Sequence, residues 1–131
     1  MIASFALGST TPAWAIKQFN DKFKEFYAGD KADEKFKELV AEAKCNVCHV
    51  AKEKKTVRNP FGETFHEILE EDKFPVMDFK KDPDKFTDRL KELFKKAEKA
   101  ESGDAEHKTF GSRMEAKLLP GGDVDGKGLG E

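Results

Sequence analysis

Residues 43 to 50 read Ala43-Lys44-Cys45-Asn46-Val47-Cys48-His49-Val50, and the pentapeptide Cys45 to His49 decides how the rest of the chain is read. Cys45 and Cys48 are the only cysteines among 131 residues, and His49 follows directly on the second. Two thiols at this spacing can add across the two vinyl groups of a haem, and the adjacent imidazole then reaches the iron. A zinc site would need two further soft ligands, and the sequence has neither a second cysteine pair nor a His-x₃₋₅-His run. A dithiol redox motif would sit in a thioredoxin-like βαβ pattern, which is absent. A disulfide is compatible with the spacing but leaves His49 without a role. One covalent haem c is therefore the expected cofactor, with His49 as its proximal ligand.

The N-terminal residues point to the same compartment. Ile2 to Gly8 form a short apolar run, and Ala13-Trp14-Ala15 has the A-x-A form of a signal-peptidase site. Residues 1–15 are read as a signal peptide, although no Lys or Arg precedes the apolar run. The run is too short to span a bilayer, so no membrane span is expected after cleavage. Export to the periplasm, or otherwise out of the cytoplasm, suits covalent haem attachment, which takes place there.

Residues 16–119 then form one small domain, with 120–131, rich in Gly and Asp, expected to be a disordered tail. Asp123-Val124-Asp125-Gly126 lacks the further acidic ligands of a calcium loop. Charged residues (38%) match hydrophobic ones (37%), so the chain's own core is thin. Twelve Phe against one Trp and one Tyr would suit packing around a large flat apolar body. A net charge of −2 gives no support for nucleic-acid binding.

The apolar periodicity is helical throughout. Phe19, Phe23, Phe26 and Tyr27 predict a first helix stopped by Gly29. Phe36, Leu39, Val40 and Ala43 predict a second, capped by Asp30 or Asp33 and running into Cys45. A basic loop with Lys52, Lys54, Lys55 and Arg58 follows. Asn59-Pro60 is a good N-cap and first-turn pair for a third helix carrying Phe61, Phe65, Ile68 and Leu69. Residues 72–81 are apolar-rich without a clear period. Asp82-Pro83 opens the strongest amphipathic pattern, with Phe86, Leu90, Leu93, Phe94 and Ala97 on one stripe and Ser102-Gly103-Asp104 at its end. No alternating pattern suggests a strand, so the fold class is all-α.

This order, helix into CxxCH, loop, helix, Met-containing loop and amphipathic final helix, resembles the small monohaem cytochrome c fold, a helical domain wrapped around one haem. The resemblance implies that a proline in the following loop supports the proximal His, here Pro60, and that a later Met fills the sixth position, here Met77. His49 to Met77 is a shorter interval than such cytochromes show. Residues 43–50, Lys54 to Asn59, Phe61-Gly62 and the Lys-Leu-Leu-Pro-Gly-Gly run at 117–122 are similar to the small exported cytochromes of planctomycete and anammox bacteria. Some of those form heterodimers with a distal cysteine that nitric oxide or carbon monoxide displaces, a ligand this chain lacks.

Cys45, Cys48, His49, Pro60 and Phe61 thus form the expected cofactor-binding set. Met77 is the expected distal ligand, pressed from an apolar loop, and His66 on the middle helix is the alternative. Gly62 would let the macrocycle approach that helix closely. Met114 and His107 are weaker candidates, and an open sixth site is the remaining case. Two strong ligands leave the haem only electron transfer, whereas an open site binds small gases or peroxide. The expected role is a non-enzymatic electron carrier working with redox partner proteins, as a monomer, homodimer or heterodimer. The alternative is a haem-based gas-binding or sensor protein. A peroxidase using His66 with Glu63 or Glu67 has the least support. The basic residues 52–58 could dock an acidic partner or neutralise the propionates.

Overall fold

The computed structural model describes residues 17–54 and 56–129, and the expected signal segment and Lys55 lie outside them. The described chain is all-α. Six helices form: α1 (Lys17–Tyr27), α2 (Glu34–Ala43), α3 (Pro60–Glu71), α4 (Val76–Lys81), α5 (Thr87–Glu98) and α6 (Phe110–Glu115). Two 3₁₀ turns, Lys44–Val47 and Pro83–Phe86, join α2 to the Cys-containing segment and α4 to α5. Among the described residues there is no strand, only isolated bridges at His49–Arg58 and Glu101–Thr109. No described helix is long and apolar enough to cross a membrane.

Local chemistry sets the helix ends. Asp33, one of the two expected caps, accepts from the Phe36 amide at 3.2 Å. Asn59 caps α3 with Pro60 in its first turn. The final amphipathic stripe begins in a 3₁₀ turn, so α5 starts at Thr87 and not at Pro83. α4 and α6 are six residues each, too short to show a period. α6 is instead marked by a capping box between Thr109 and Ser112.

The phenylalanines form the core. Phe65 of α3 and Phe94 of α5 stack with centroids 4.3 Å apart. Phe19 and Phe23 of α1 meet Phe65 and Phe94 edge-on, at 5.8 and 5.9 Å. Edge-to-face and offset contacts of this kind add to the area buried, and they tie α1, α3 and α5 together. Lys22 is buried beside them, donating to Asp84 and to the Thr87 hydroxyl at 2.9 Å each. That pins α1 to the turn before α5.

The C-terminal stretch departs from expectation. Residues 120–129 are not disordered: Pro120, Gly121, Gly122, Gly126 and Leu129 are buried, and the segment lies as a strap across the back of the Cys45–His49 segment. Buried Arg113 anchors it, donating to the Leu119 carbonyl at 2.9 Å and the Gly122 carbonyl at 3.2 Å while pairing with Asp104. Glycine-rich composition here reflects close packing and positive φ, at Gly122 (133°) and Gly126 (74°), and not a lack of structure.

Candidate functional site

The 3₁₀ turn that ends α2 presents Cys45 and delivers the chain to Cys48 and His49. Both cysteines are half-buried with free thiols, and His49 is 5% exposed. Arg58 and Asn59 return alongside this segment: the Asn59 amide donates to the Cys48 carbonyl at 2.8 Å, and the Val50 amide to the Val57 carbonyl at 3.3 Å. The start of α3 is thereby laid directly over the motif.

Between α1, α3 and the motif lies a slot with about 620 Å³ of atom-free space, counting its open mouth. Cys45, Cys48, His49 and His66 all line it, with Phe19, Phe23, Phe65, Leu69 and Phe94 supplying apolar walls. The polar groups at its edge are Asn20 and Arg58. The motif histidine and the α3 histidine, far apart in helical phase on the sequence, share one cavity because α3 crosses the motif.

Burial shapes the chemistry of these groups. It pushes the Cys48 thiol up to about 12, Cys45 adding to the shift and Arg58 opposing it. His66 is lowered below the ordinary histidine value, chiefly by burial and then by Arg58, against the pull of Glu70, Glu63 and Glu67. The imidazole is therefore neutral and able to coordinate at physiological pH. Its Nε2 lies 3.5 Å from the Glu70 carboxylate.

The other expected site residues lie elsewhere. Met77 sits on α4, is 59% exposed and does not line the slot; residues 76–81 coil into a short helix whose buried side is Phe79, which turns the thioether outward. Phe61 is fully buried in the core against Phe23, Phe65 and Phe110, not at the slot. Pro60 starts α3 and does not line the slot either, and its neighbour Asn59 makes the contacts to the motif. Met114 belongs to the core, and His107 lies in the turn before α6. Gly62 does permit a close approach, but of the motif backbone: a Cβ there would fall 2.0 Å from the Cys48 carbonyl oxygen. Of the basic loop, Lys52 and Lys54 are exposed, while Arg58 turns inward to pair with Glu63 at 2.8 Å and line the slot.

Asn59 and the strap are site features that motif reading passes over. Asn59 is visible in the sequence only as a helix cap, and the strap only as Gly-rich chain.

Comparison with family models, with curated proteins and with solved structures finds no match. The functional reading therefore rests on the site. Among the described residues no three His, Cys, Asp or Glu side chains converge as ligands for a bare metal ion. What lines the apolar slot is two thiols and two imidazoles among aromatic walls, residue types that fit a haem, which takes sulfur at its periphery and nitrogen at its iron.

Proposed function

We propose that this chain is an exported monohaem c-type cytochrome that carries electrons, with the haem joined to Cys45 and Cys48 and ligated by His49. The observation that carries this reading is the lining of one apolar slot by Cys45, Cys48, His49 and His66. Cys45 and Cys48 would each hold the haem through a thioether, the sulfur bonded to one vinyl carbon and the thiol proton transferred to the other. A bound haem supplies one-electron exchange at its iron.

The chain's own residues do the rest. His66, in place of Met77, would be the second residue to hold the iron: it lines the slot from α3, and burial keeps it neutral. The phenylalanine walls exclude water, which favours the less charged ferrous state. Arg58, which lines the slot while paired with Glu63, would supply a cation for the haem carboxylates. With His49 and His66 both holding the iron, no site would remain for substrate, and the partners would be other redox proteins. The chain is not an enzyme on this reading.

A second reading is favoured by one distance. If His66 stays with Glu70, 3.5 Å away on its own helix, the sixth position is open and the protein binds nitric oxide or carbon monoxide. One set of measurements tests both. Haem should remain with the purified protein in acidified organic solvent and be released from the C45A/C48A double variant. Loss of haem from the native chain under that treatment overturns the cytochrome reading. A low-spin spectrum in both oxidation states supports the electron carrier, and a high-spin form that binds carbon monoxide rapidly supports the gas-binding protein.

A further inference from the structure

We infer that Asn59 is the positioning residue for His49, acting through the backbone of the Cys45–His49 segment together with the C-terminal strap. The inference rests on the haem reading above and adds to it a residue that no metal-binding motif would pick out.

Asn59 is 1% exposed, and its polar groups face the motif. Its side-chain Nδ2 donates to the Asn46 carbonyl at 3.0 Å and the Val47 carbonyl at 2.9 Å. Its backbone amide donates to the Cys48 carbonyl at 2.8 Å. Three consecutive carbonyls leading into His49 are thus held by one residue. Oδ1 meanwhile accepts from the Gly62 amide at 2.9 Å, which fixes the same side chain to the first turn of α3.

The strap packs on the same segment and on Asn59 itself. Gly126 packs so closely on the His49 carbonyl that a Cβ would fall 2.0 Å from its oxygen. The Asn46 side chain donates to the Val124 carbonyl at 3.2 Å, and the Ala51 amide to the Asp125 carbonyl at 2.8 Å. Gly121 lies against the Asn59 amide itself, where a Cβ would meet Nδ2 at 2.2 Å. The main chain from residue 46 to residue 51 is therefore held by Asn59, the strap and the Val50–Val57 hydrogen bond, which fixes the backbone at His49. A ligand whose backbone cannot yield resists being drawn off its metal, and outer-shell partners of this kind hold metal ligands in place.

The test uses N59S and G126A in the full-length, haem-loaded protein. A serine hydroxyl still caps α3 but is too short to reach either carbonyl. G126A drives a Cβ into the His49 carbonyl and close to the Asn46 carbonyl, while leaving the Asn59 side chain itself unchanged. Each variant is also made together with H66A, which on the haem reading leaves the position opposite His49 open to nitric oxide. The five-coordinate share of the nitrosyl spectrum therefore reports the bond to His49. Both variants should raise the ratio of five- to six-coordinate nitrosyl about tenfold, the lower end of what loss of an outer-shell partner costs a ligand, with helical circular dichroism unchanged. Amide exchange should quicken at Cys48 and His49 in N59S while the α5 amides keep native rates. Native nitrosyl spectra together with native exchange in both variants overturn the inference. A wild-type chain without covalent haem would instead sink the function proposed above, and the exchange measurement would still decide whether Asn59 holds the segment.

Discussion

His66 and Met77 lie eleven residues apart, and their surroundings separate them more sharply than their chemistry does. Met77 is mostly in solvent and His66 lines the slot. H66A should therefore turn the ferric protein from low-spin to high-spin and open it to carbon monoxide. M77A should leave the visible spectrum untouched and change stability by no more than about 0.5 kcal/mol, as for other exposed positions. The opposite pattern would restore Met77 as ligand. Tyr27 offers a second test at this scale. Burial, then the hydrogen bond and charge of Glu98, raises its phenol well above the ordinary value of about 10. The folded protein then binds the phenolic proton more tightly than the unfolded chain does. Stability from this group is fully present below about pH 10 and is lost as pH rises above it, toward the folded-state value. The thermal midpoint of the native protein should fall between pH 9.5 and 11.5, a range set about that reference value, more steeply than that of Y27F. Parallel curves for the two proteins would show that the phenol contributes nothing.

Helices α1, α3 and α5 are joined by aromatic packing, whereas the strap after α6 is joined by polar contacts, and the two respond differently to substitution. Arg113 is the anchor, with both strap carbonyls and Asp104 as partners. R113M keeps much of the volume and leaves the buried Leu119 and Gly122 carbonyls without a donor. The expected loss is on the order of 2 kcal/mol, the cost of an unpaired buried acceptor, seen as a lower urea midpoint. Proteolysis should then cut near Lys127 at rates the native protein does not show, while α1, α3 and α5 stay protected. Equal protection throughout would mean that the strap is held by its apolar residues alone. α3 has its own dependence on the motif, since Gly62 leaves room only for the Cys48 backbone.

The whole molecule is a thin core built around one slot. Phe19, Phe23, Phe65, Leu69 and Phe94 are at once core residues and slot walls. Without a body in the slot these rings lose packing on one side, and a chain with so much charge has little other apolar burial to offset its conformational entropy. The C45A/C48A chain, produced without haem, should therefore keep some helical circular dichroism but melt without a cooperative transition. A sharp native-like melt of that apo-protein would show that the phenylalanine core suffices by itself.

Much of this was legible in residues alone. The all-α class followed from apolar spacing in α1, α2, α3 and α5, and the caps at Asp33 and Asn59 from short polar side chains whose oxygens satisfy free helix amides. The haem proposal rests on the Cys45 to His49 motif as sequence alone, because spacing within a pentapeptide is a local property. What tertiary structure decided was which distant residues meet it. Helical phase left His66 at the edge of an apolar stripe, and only the crossing of α3 over the motif brings it into the slot. Met77 looked buried because its neighbours are apolar, yet a six-residue helix turns alternate sides and sends it outward. The strap read as disorder because glycine-rich composition has two physical causes: chain that packs against nothing, and chain packed so tightly that no side chain fits. Composition is the same in both cases, and only the neighbouring carbonyl of His49 and amide of Asn59 tell them apart.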